Sequence, residues 1–224
     1  PVATFLLVKD VKLDTREETT KEDSNKEIKQ WKRIEVLKDY RFYIICMTML
    51  AMPWIATGSF VYQSFISSSK EWGPYVIAQS FMAYSILSVI TLFISGFLID
   101  KFSSRKLLIY MNVPLFFSTV VLYYFNAPLS SFVFFGLLGV TNGLANVLGS
   151  STWAEIYGVK YIGSIKALTT ALMVFSTAFG TALYGFLIDI GFTIEEIVAV
   201  SGSYISISLI LLFSIRKKLN PIYI

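Results

Sequence analysis

Long apolar blocks separated by short charged segments dominate the pattern of this 224-residue chain. Blocks of about 20 apolar residues are long enough to cross a bilayer as helices. The pattern therefore predicts an all-α polytopic membrane protein whose transmembrane domain occupies residues 42–215. The charge-free block from 107 to 154 is too long for one helix, and Asn126-Ala127-Pro128 marks a turn that divides it. The six predicted helices are 42–66, 74–99, 107–125, 129–152, 167–188 and 197–215.

The segments that flank the six predicted helices have a different composition. Residues 1–8 are apolar and are expected to be the end of a preceding transmembrane helix. Residues 9–41 hold 10 of the 19 Lys and Arg residues and 9 of the 15 Asp and Glu residues, which predicts a charged cytoplasmic linker. At the end of this linker Trp31, Ile34, Leu37 and Tyr40 recur at helical spacing, which predicts an interfacial helix. Residues 216–224 form the tail.

The distribution of basic residues predicts the orientation in the membrane. The loops after the first, third and fifth predicted helices contain Lys70 as their one basic residue. The positive-inside rule therefore predicts that both ends of this segment lie in the cytoplasm, in a multi-pass protein of the plasma membrane. Beyond the linker, the basic residues follow the second, fourth and sixth helices: Lys101, Arg105, Lys106, Lys160, Lys166, Arg216, Lys217 and Lys218.

A repeated pentapeptide suggests that the six helices form two related triplets. Gly-Phe-Leu-Ile-Asp occurs at 96–100 and again at 185–189, an offset of 89 (185 − 96). This offset maps the first predicted helix onto the fourth, the second onto the fifth and the third onto the sixth. Because equivalent helices then run in opposite directions, the sequence predicts a 3+3 inverted repeat, which is typical of secondary transporters.

Polar residues within the predicted helices indicate a path for a solute. Tyr84 and Ser88 share one face of the second helix, and Asn142 and Asn146 lie one turn apart in the fourth. Polar side chains in lipid favour a partner helix or a water-filled cavity, so helix packing remains an alternative explanation. The offset of 89 adds the equivalent positions of the fifth and first helices. The predicted substrate path is Thr57, Tyr62, Tyr84, Ser88, Asn142, Asn146, Met173 and Thr177.

The loop after the second helix resembles the signature loop of the major facilitator superfamily. The match is Gly96-x-Leu98-x-Asp100-Lys101-x-x-x-Arg105-Lys106, with Ser103 at a position where a glycine is usual. The resemblance implies a gating loop of Gly96, Asp100, Lys101, Arg105 and Lys106. Asp100 lies at a helix C-terminus, where the helix dipole disfavours negative charge. We expect Lys101, Arg105 or the N-terminus of another helix to hold it as a latch.

The resemblance covers the whole chain as the C-terminal half of a 12-helix transporter. The charged linker resembles the central loop of that family, so the expected partner is a missing N-terminal half of six helices. A narrower match, Trp153-Ala154-Glu155-Ile156-Tyr157-Gly158 followed by Ile162-Gly163, is similar to the bacterial branch of monocarboxylate porters and oxalate–formate exchangers. That branch often places a basic residue inside its second and fifth helices, whereas neither predicted helix here has one. Either the substrate is not a carboxylate or its countercharge lies in the other half.

Composition narrows the remaining function classes. Histidine is absent and Cys46 is the one cysteine, which excludes a disulfide framework within the chain, a histidine zinc site and a Ser-His catalytic pair. The net charge of +4 is explained by membrane topology and does not indicate nucleic acid. We therefore predict no catalytic residues, metal or cofactor. The predicted function is half of a secondary active transporter that moves a small solute, such as a small organic acid, by alternating access. The alternative is an independent six-helix channel-like protein.

Overall fold

The computed structural model describes residues 28–73 and 75–223, and helices make up most of them. The predicted helix end at residues 1–8, the linker as far as residue 27 and the predicted helix start at Pro74 lie outside the described residues. The helices are α1 (Arg33–Lys38), α2 (Tyr40–Val61), α3 (Gln63–Ser69), α4 (Val76–Phe102), α5 (Ser104–Leu108), α6 (Val113–Tyr124), α7 (Pro128–Tyr157), α8 (Ile162–Asp189) and α9 (Ile194–Ile215), followed by the 3-10 helix Arg216–Lys218.

Six stretches of the described residues are long and apolar enough to cross a membrane, so the predicted all-α class with six spans is confirmed. Several helices continue past the predicted ends because charged residues at the membrane edge remain helical. In particular α7 extends to Tyr157 and α8 begins at Ile162. The spans are Tyr40–Val61, Val76–Phe102, Ser104–Tyr124, Pro128–Tyr157, Ile162–Asp189 and Ile194–Lys218.

Local sequence signals set several of the helix ends. Asp39 caps α2 by accepting a hydrogen bond from the backbone N–H of Arg41. Thr193 and Glu196 form a capping box at the start of α9. Pro128 occupies the first turn of α7, where its missing N–H costs no hydrogen bond. Gly158 ends α7 with φ of 83°, a conformation that glycine adopts without strain.

Two close helix crossings hold the bundle together, one between α4 and α7 and one between α2 and α8. At the first, a Cβ atom added to Gly143 would lie 2.6 Å from the carbonyl oxygen of Ser88 and 2.7 Å from Cβ of Thr91. At the second, a Cβ atom added to Gly180 would collide with the backbone of Trp54. Both pairs of backbones can therefore approach closely only because glycine occupies these positions. The remaining spans pack around these four helices, with α6 against α7 and α9, and α9 also against α2.

Lys70 joins two loops and the start of α9 at the end of the bundle opposite to α1. Its Nζ donates to Oδ1 of Asn126 and to Oε1 of Glu195, both at 2.7 Å. The Trp72 indole N–H donates to the backbone carbonyl of Asn126 at 2.8 Å. The Lys70 side chain is fully buried, whereas that of Glu195 is 39% exposed. One cation thus links the loops that precede α4 and α7 to the first turn of α9.

Candidate functional site

A cavity of about 550 Å³ lies among α2, α4, α7 and α8. Its wall runs from Cys46 to Phe60 on α2, from Asn142 to Trp153 on α7 and from Lys166 to Thr177 on α8, with Tyr84 from α4. Since α2 and α8 begin and α7 ends near these residues, the cavity occupies the half of the bundle next to α1 and the chain's tail.

Six of the eight residues of the predicted substrate path lie on the wall of this cavity: Thr57, Tyr84, Asn142, Asn146, Met173 and Thr177. The other two do not. Ser88 instead accepts a hydrogen bond from Nδ2 of Asn142 at 2.8 Å. Tyr62 stacks on Tyr184 with 6.4 Å between the ring centroids. The contribution of all eight to transport stays a prediction.

The two asparagines are held in place and still offer polar atoms to the cavity. Nδ2 of Asn142 donates to Oγ of Ser88, and Nδ2 of Asn146 donates to the backbone carbonyl of Asn142, each at 2.8 Å. Neither Oδ1 atom has a hydrogen-bond partner among the described residues. An amide oxygen accepts up to two hydrogen bonds, so both side chains keep acceptor capacity for a bound solute.

Lys166 is the one charged side chain on the wall of the cavity among the described residues. The charge pattern predicts a loop position for Lys166, before a fifth span that begins at residue 167. In the structure, α8 begins at Ile162, so Lys166 lies inside the helix. Spacing could have found it, since Lys166, Thr170, Met173 and Thr177 follow one helix face. A lysine can bury its carbon stem and still present its ammonium group to water.

Glu155 is the partner of Arg105 in the predicted gating loop. Nε of Arg105 lies 2.9 Å from Oε1 of Glu155, and the backbone N–H of Ser104 donates to Oε2 at 2.8 Å. The side chain of Asp100 is exposed and makes no hydrogen bond or ion pair with any other described residue. A latch at Asp100 forms in one transporter state and breaks in the other, so the expectation that Lys101, Arg105 or a helix N-terminus holds Asp100 stays a prediction. Lys101 instead lies over the ring of Phe102, with 5.4 Å from Nζ to the centroid.

The remaining loop residues explain part of the motif. Ser103, at the position where the signature usually has glycine, has φ of 70° and ψ of 147°. Its buried hydroxyl has no hydrogen-bond partner among the described residues. A Cβ atom added to Gly96 would meet nothing within 4 Å, and Lys106 is exposed. The backbone conformation that favours glycine is therefore at position 103, whereas position 96 has space for a side chain.

No group of three or more His, Cys, Asp or Glu side chains among the described residues could hold a metal ion. A comparison with protein families gives a match to the model described as Major Facilitator Superfamily over residues 11–221. This range includes all six spans and every residue on the wall of the cavity. No curated protein matches the chain.

Proposed function

Because this chain belongs to the major facilitator superfamily, whose members move small solutes across membranes, we propose that it is one half of a secondary active transporter working by alternating access. The cavity of about 550 Å³ among four spans carries the proposal, since it offers a small solute both polar and apolar contacts. Family membership does not favour the alternative of an independent channel. With both ends of the segment in the cytoplasm of a plasma-membrane protein, as the loop charges predict, the cavity faces inward.

The packing of the spans supports the proposed inverted repeat. The offset of 89 makes α2 equivalent to α7 and α4 equivalent to α8. The α4–α7 contact therefore corresponds to the α8–α2 contact, and both contacts are extensive. The offset of 89 also relates the two crossings, because Trp54 maps onto Gly143 and Thr91 maps onto Gly180. Thus the contact of Gly143 with Thr91 has its counterpart in that of Trp54 with Gly180. A chance repeat of five residues would not predict this correspondence.

The proposal includes a second unit of six helices, expected as the N-terminal half, on the open side of the cavity. The two least buried spans are α4 and α8, which the proposed repeat makes equivalent. Met82, Phe93, Phe97, Phe175 and Phe186 are among their exposed apolar side chains. A partner half against these two helices would enclose a solute that the present half contacts from one side.

Lys166 supports a small organic acid as the solute. An ammonium group on a wall with amide and hydroxyl groups can bind a carboxylate by charge-assisted hydrogen bonds. The narrower resemblance to monocarboxylate porters and oxalate–formate exchangers favours the same class. In this proposal Lys166 supplies a countercharge from the present half, within the fifth span.

The pair of Arg105 and Glu155 is the proposed gate. Both side chains are about one-quarter exposed, so water can replace the ion pair when helices separate. The pair connects α5 to the C-terminal half of α7, whose residues as far as Trp153 line the cavity. We propose that this contact changes between the inward-facing and outward-facing states, and that Asp100 finds its partner in the other state.

Counterflow of labelled oxalate, formate and lactate into proteoliposomes that contain the full protein tests the function. A carrier gives saturable uptake that is accelerated by unlabelled acid inside the vesicles. Lys166→Gln should raise the KM for the transported acid about tenfold, because a hydrogen bond to a charged group is worth about 1.5–3 kcal/mol.

The matched control is Lys160→Gln, which removes a cation from the loop before α8 that does not line the cavity. Its KM should equal that of the parent. Uptake that rises linearly with concentration and shows no counterflow would identify a channel. Saturable counterflow that is equal in the Lys166 variant and the parent would leave the carrier intact and remove Lys166 from the site.

A further inference from the structure

Two chain segments that are far apart in sequence meet beside the start of α2. Nη1 of Arg41 donates to the backbone carbonyls of Lys218 and Asn220, at 2.9 and 3.2 Å. Arg41 is itself held by Asp39, with 2.8 Å between Nε and Oδ2, and both side chains are buried. The backbone N–H of Lys29 also donates to the carbonyl of Ile222 at 2.8 Å. The tail is thereby fixed against the segment that contains α1.

This arrangement brings six exposed basic side chains to one end of the bundle. We call them the basic patch: Lys32, Arg33, Lys38, Arg216, Lys217 and Lys218. Nζ of Lys218 lies 5.7 Å from the centroid of the Tyr40 ring, which places the two groups side by side. None of the six forms an ion pair with another described residue.

The acidic side chains of the same region are already engaged. Oε1 of Glu35 lies 3.3 Å from Nζ of Lys29, and Asp39 is bonded to Arg41. The hydrogen bond from the backbone of Lys32, followed by that from Lys29, lowers the pKa of Glu35. Glu35 therefore stays ionised beside its own cation, and the basic patch keeps its positive charge.

An exposed apolar stripe accompanies the basic patch. Ile34 is 69% exposed, Tyr40 is 50% exposed and Tyr43 is 56% exposed, with Leu37 between them. The Tyr43 hydroxyl donates to the carbonyl of Leu37 at 2.8 Å and so connects the end of α1 to α2. An apolar stripe beside basic residues is the arrangement of helices that lie in the plane of a membrane surface.

The position of the basic patch identifies its partner. α1 leads within two residues into the span that begins at Tyr40, and the 3-10 helix directly follows α9. Both therefore lie at the depth where spans leave the hydrocarbon and meet lipid headgroups. An acidic protein would satisfy the charges but would not explain the neighbouring apolar stripe.

We propose that the basic patch binds the headgroups of anionic phospholipids, while the apolar stripe inserts between them. Each basic residue near an anionic surface adds a favourable interaction, so the two chain segments together select anionic over neutral lipid. The interaction is independent of the transported solute.

Native mass spectrometry of the full protein in detergent, titrated with phosphatidylglycerol and with phosphatidylcholine, tests the proposal. The parent should bind phosphatidylglycerol in preference to phosphatidylcholine. The double variant Arg33→Gln/Lys217→Gln, with one change in each segment, should lose about tenfold of that preference. Both side chains are exposed, so unchanged thermal unfolding checks that the variant is folded.

The matched control is Lys106→Gln/Lys160→Gln, which removes two exposed basic residues outside the basic patch. It should keep the preference of the parent. Equal binding of both lipids by the parent would overturn the proposal. An equal loss in both double variants would show a general effect of charge and would also overturn it, as would displacement of phosphatidylglycerol by millimolar inorganic phosphate.

Discussion

The backbone of Ser103 has φ of 70° and ψ of 147°, a region that residues with a side chain rarely adopt. Such a conformation costs about 1–3 kcal/mol, and an unpartnered buried hydroxyl adds to that cost. We expect Ser103→Gly to remove both and to raise the free energy of unfolding by about 1–3 kcal/mol. The melting temperature of the purified protein in detergent, followed by tryptophan fluorescence, measures this.

Ser104→Gly is the matched control for this prediction. Ser104 is helical and its hydroxyl donates to Glu155, so the same substitution removes a hydrogen bond and adds a flexible residue to α5. Its melting temperature should fall. A fall for both variants would contradict the account of strain at position 103.

At the residue level, the sequence located features that depend on spacing within one helix. Periodicity predicts one helix face for Asn142 and Asn146, and the offset of 89 adds Met173 and Thr177. The structure places all four on the wall of the cavity. The partner of Arg105 could not be predicted in this way. Glu155 is 50 residues away, and no local pattern records which of several carboxylates a loop cation meets.

At the level of the helices, the crossing of α4 and α7 depends on a close approach of two backbones. A Cβ atom at Gly139 would collide with the backbone carbonyl of Tyr84. We expect Gly139→Ala to push the helices apart and to lower the free energy of unfolding by about 1–3 kcal/mol, the usual cost of overpacking. Thermal unfolding in detergent provides the measurement.

Gly149→Ala makes the identical change further along the same helix. A Cβ atom there meets nothing within 4 Å, so the substitution should leave stability unchanged or raise it slightly. Equal loss of stability at both positions would mean that helix propensity, and not the crossing, determines the effect.

The six spans were predictable because a long apolar block that crosses a membrane must satisfy its own backbone hydrogen bonds, and a helix does this within one segment. Their ends were less predictable, since a lysine at the membrane edge can lie inside a helix or in a loop. The fifth span shows the consequence. Its predicted start at 167 excluded Lys166, whereas α8 begins at Ile162 and carries that lysine to the cavity.

For the whole molecule, Lys70 fixes the loops before α4 and α7 and the start of α9 relative to one another. Glu195→Ala would leave the buried ammonium of Lys70 with Asn126 as its one remaining side-chain partner among the described residues. Removing one partner of a buried pair costs about 3–5 kcal/mol, and the 39% exposure of Glu195 places this pair below that range. We therefore expect Glu195→Ala to lower the free energy of unfolding by about 2 kcal/mol.

Lys70→Met should cost less, although it removes the same ion pair. The methionine occupies a similar volume without a charge, and the exposed carboxylate of Glu195 remains hydrated. Thermal unfolding of both variants tests this asymmetry. A larger loss for Lys70→Met would show that the bond to Asn126, and not the buried charge, dominates this contact.

Two triplets of helices that cross at equivalent points can exchange their shapes. In the proposed repeat, exchanging the conformations of the two triplets would keep both kinds of helix contact. The cavity would then open at the other end of the bundle. Identical triplets would make both forms equal in free energy. The end at which the cavity opens in the more stable form would then depend on the positions at which the triplets differ, such as Trp54 in one and Gly143 in the other.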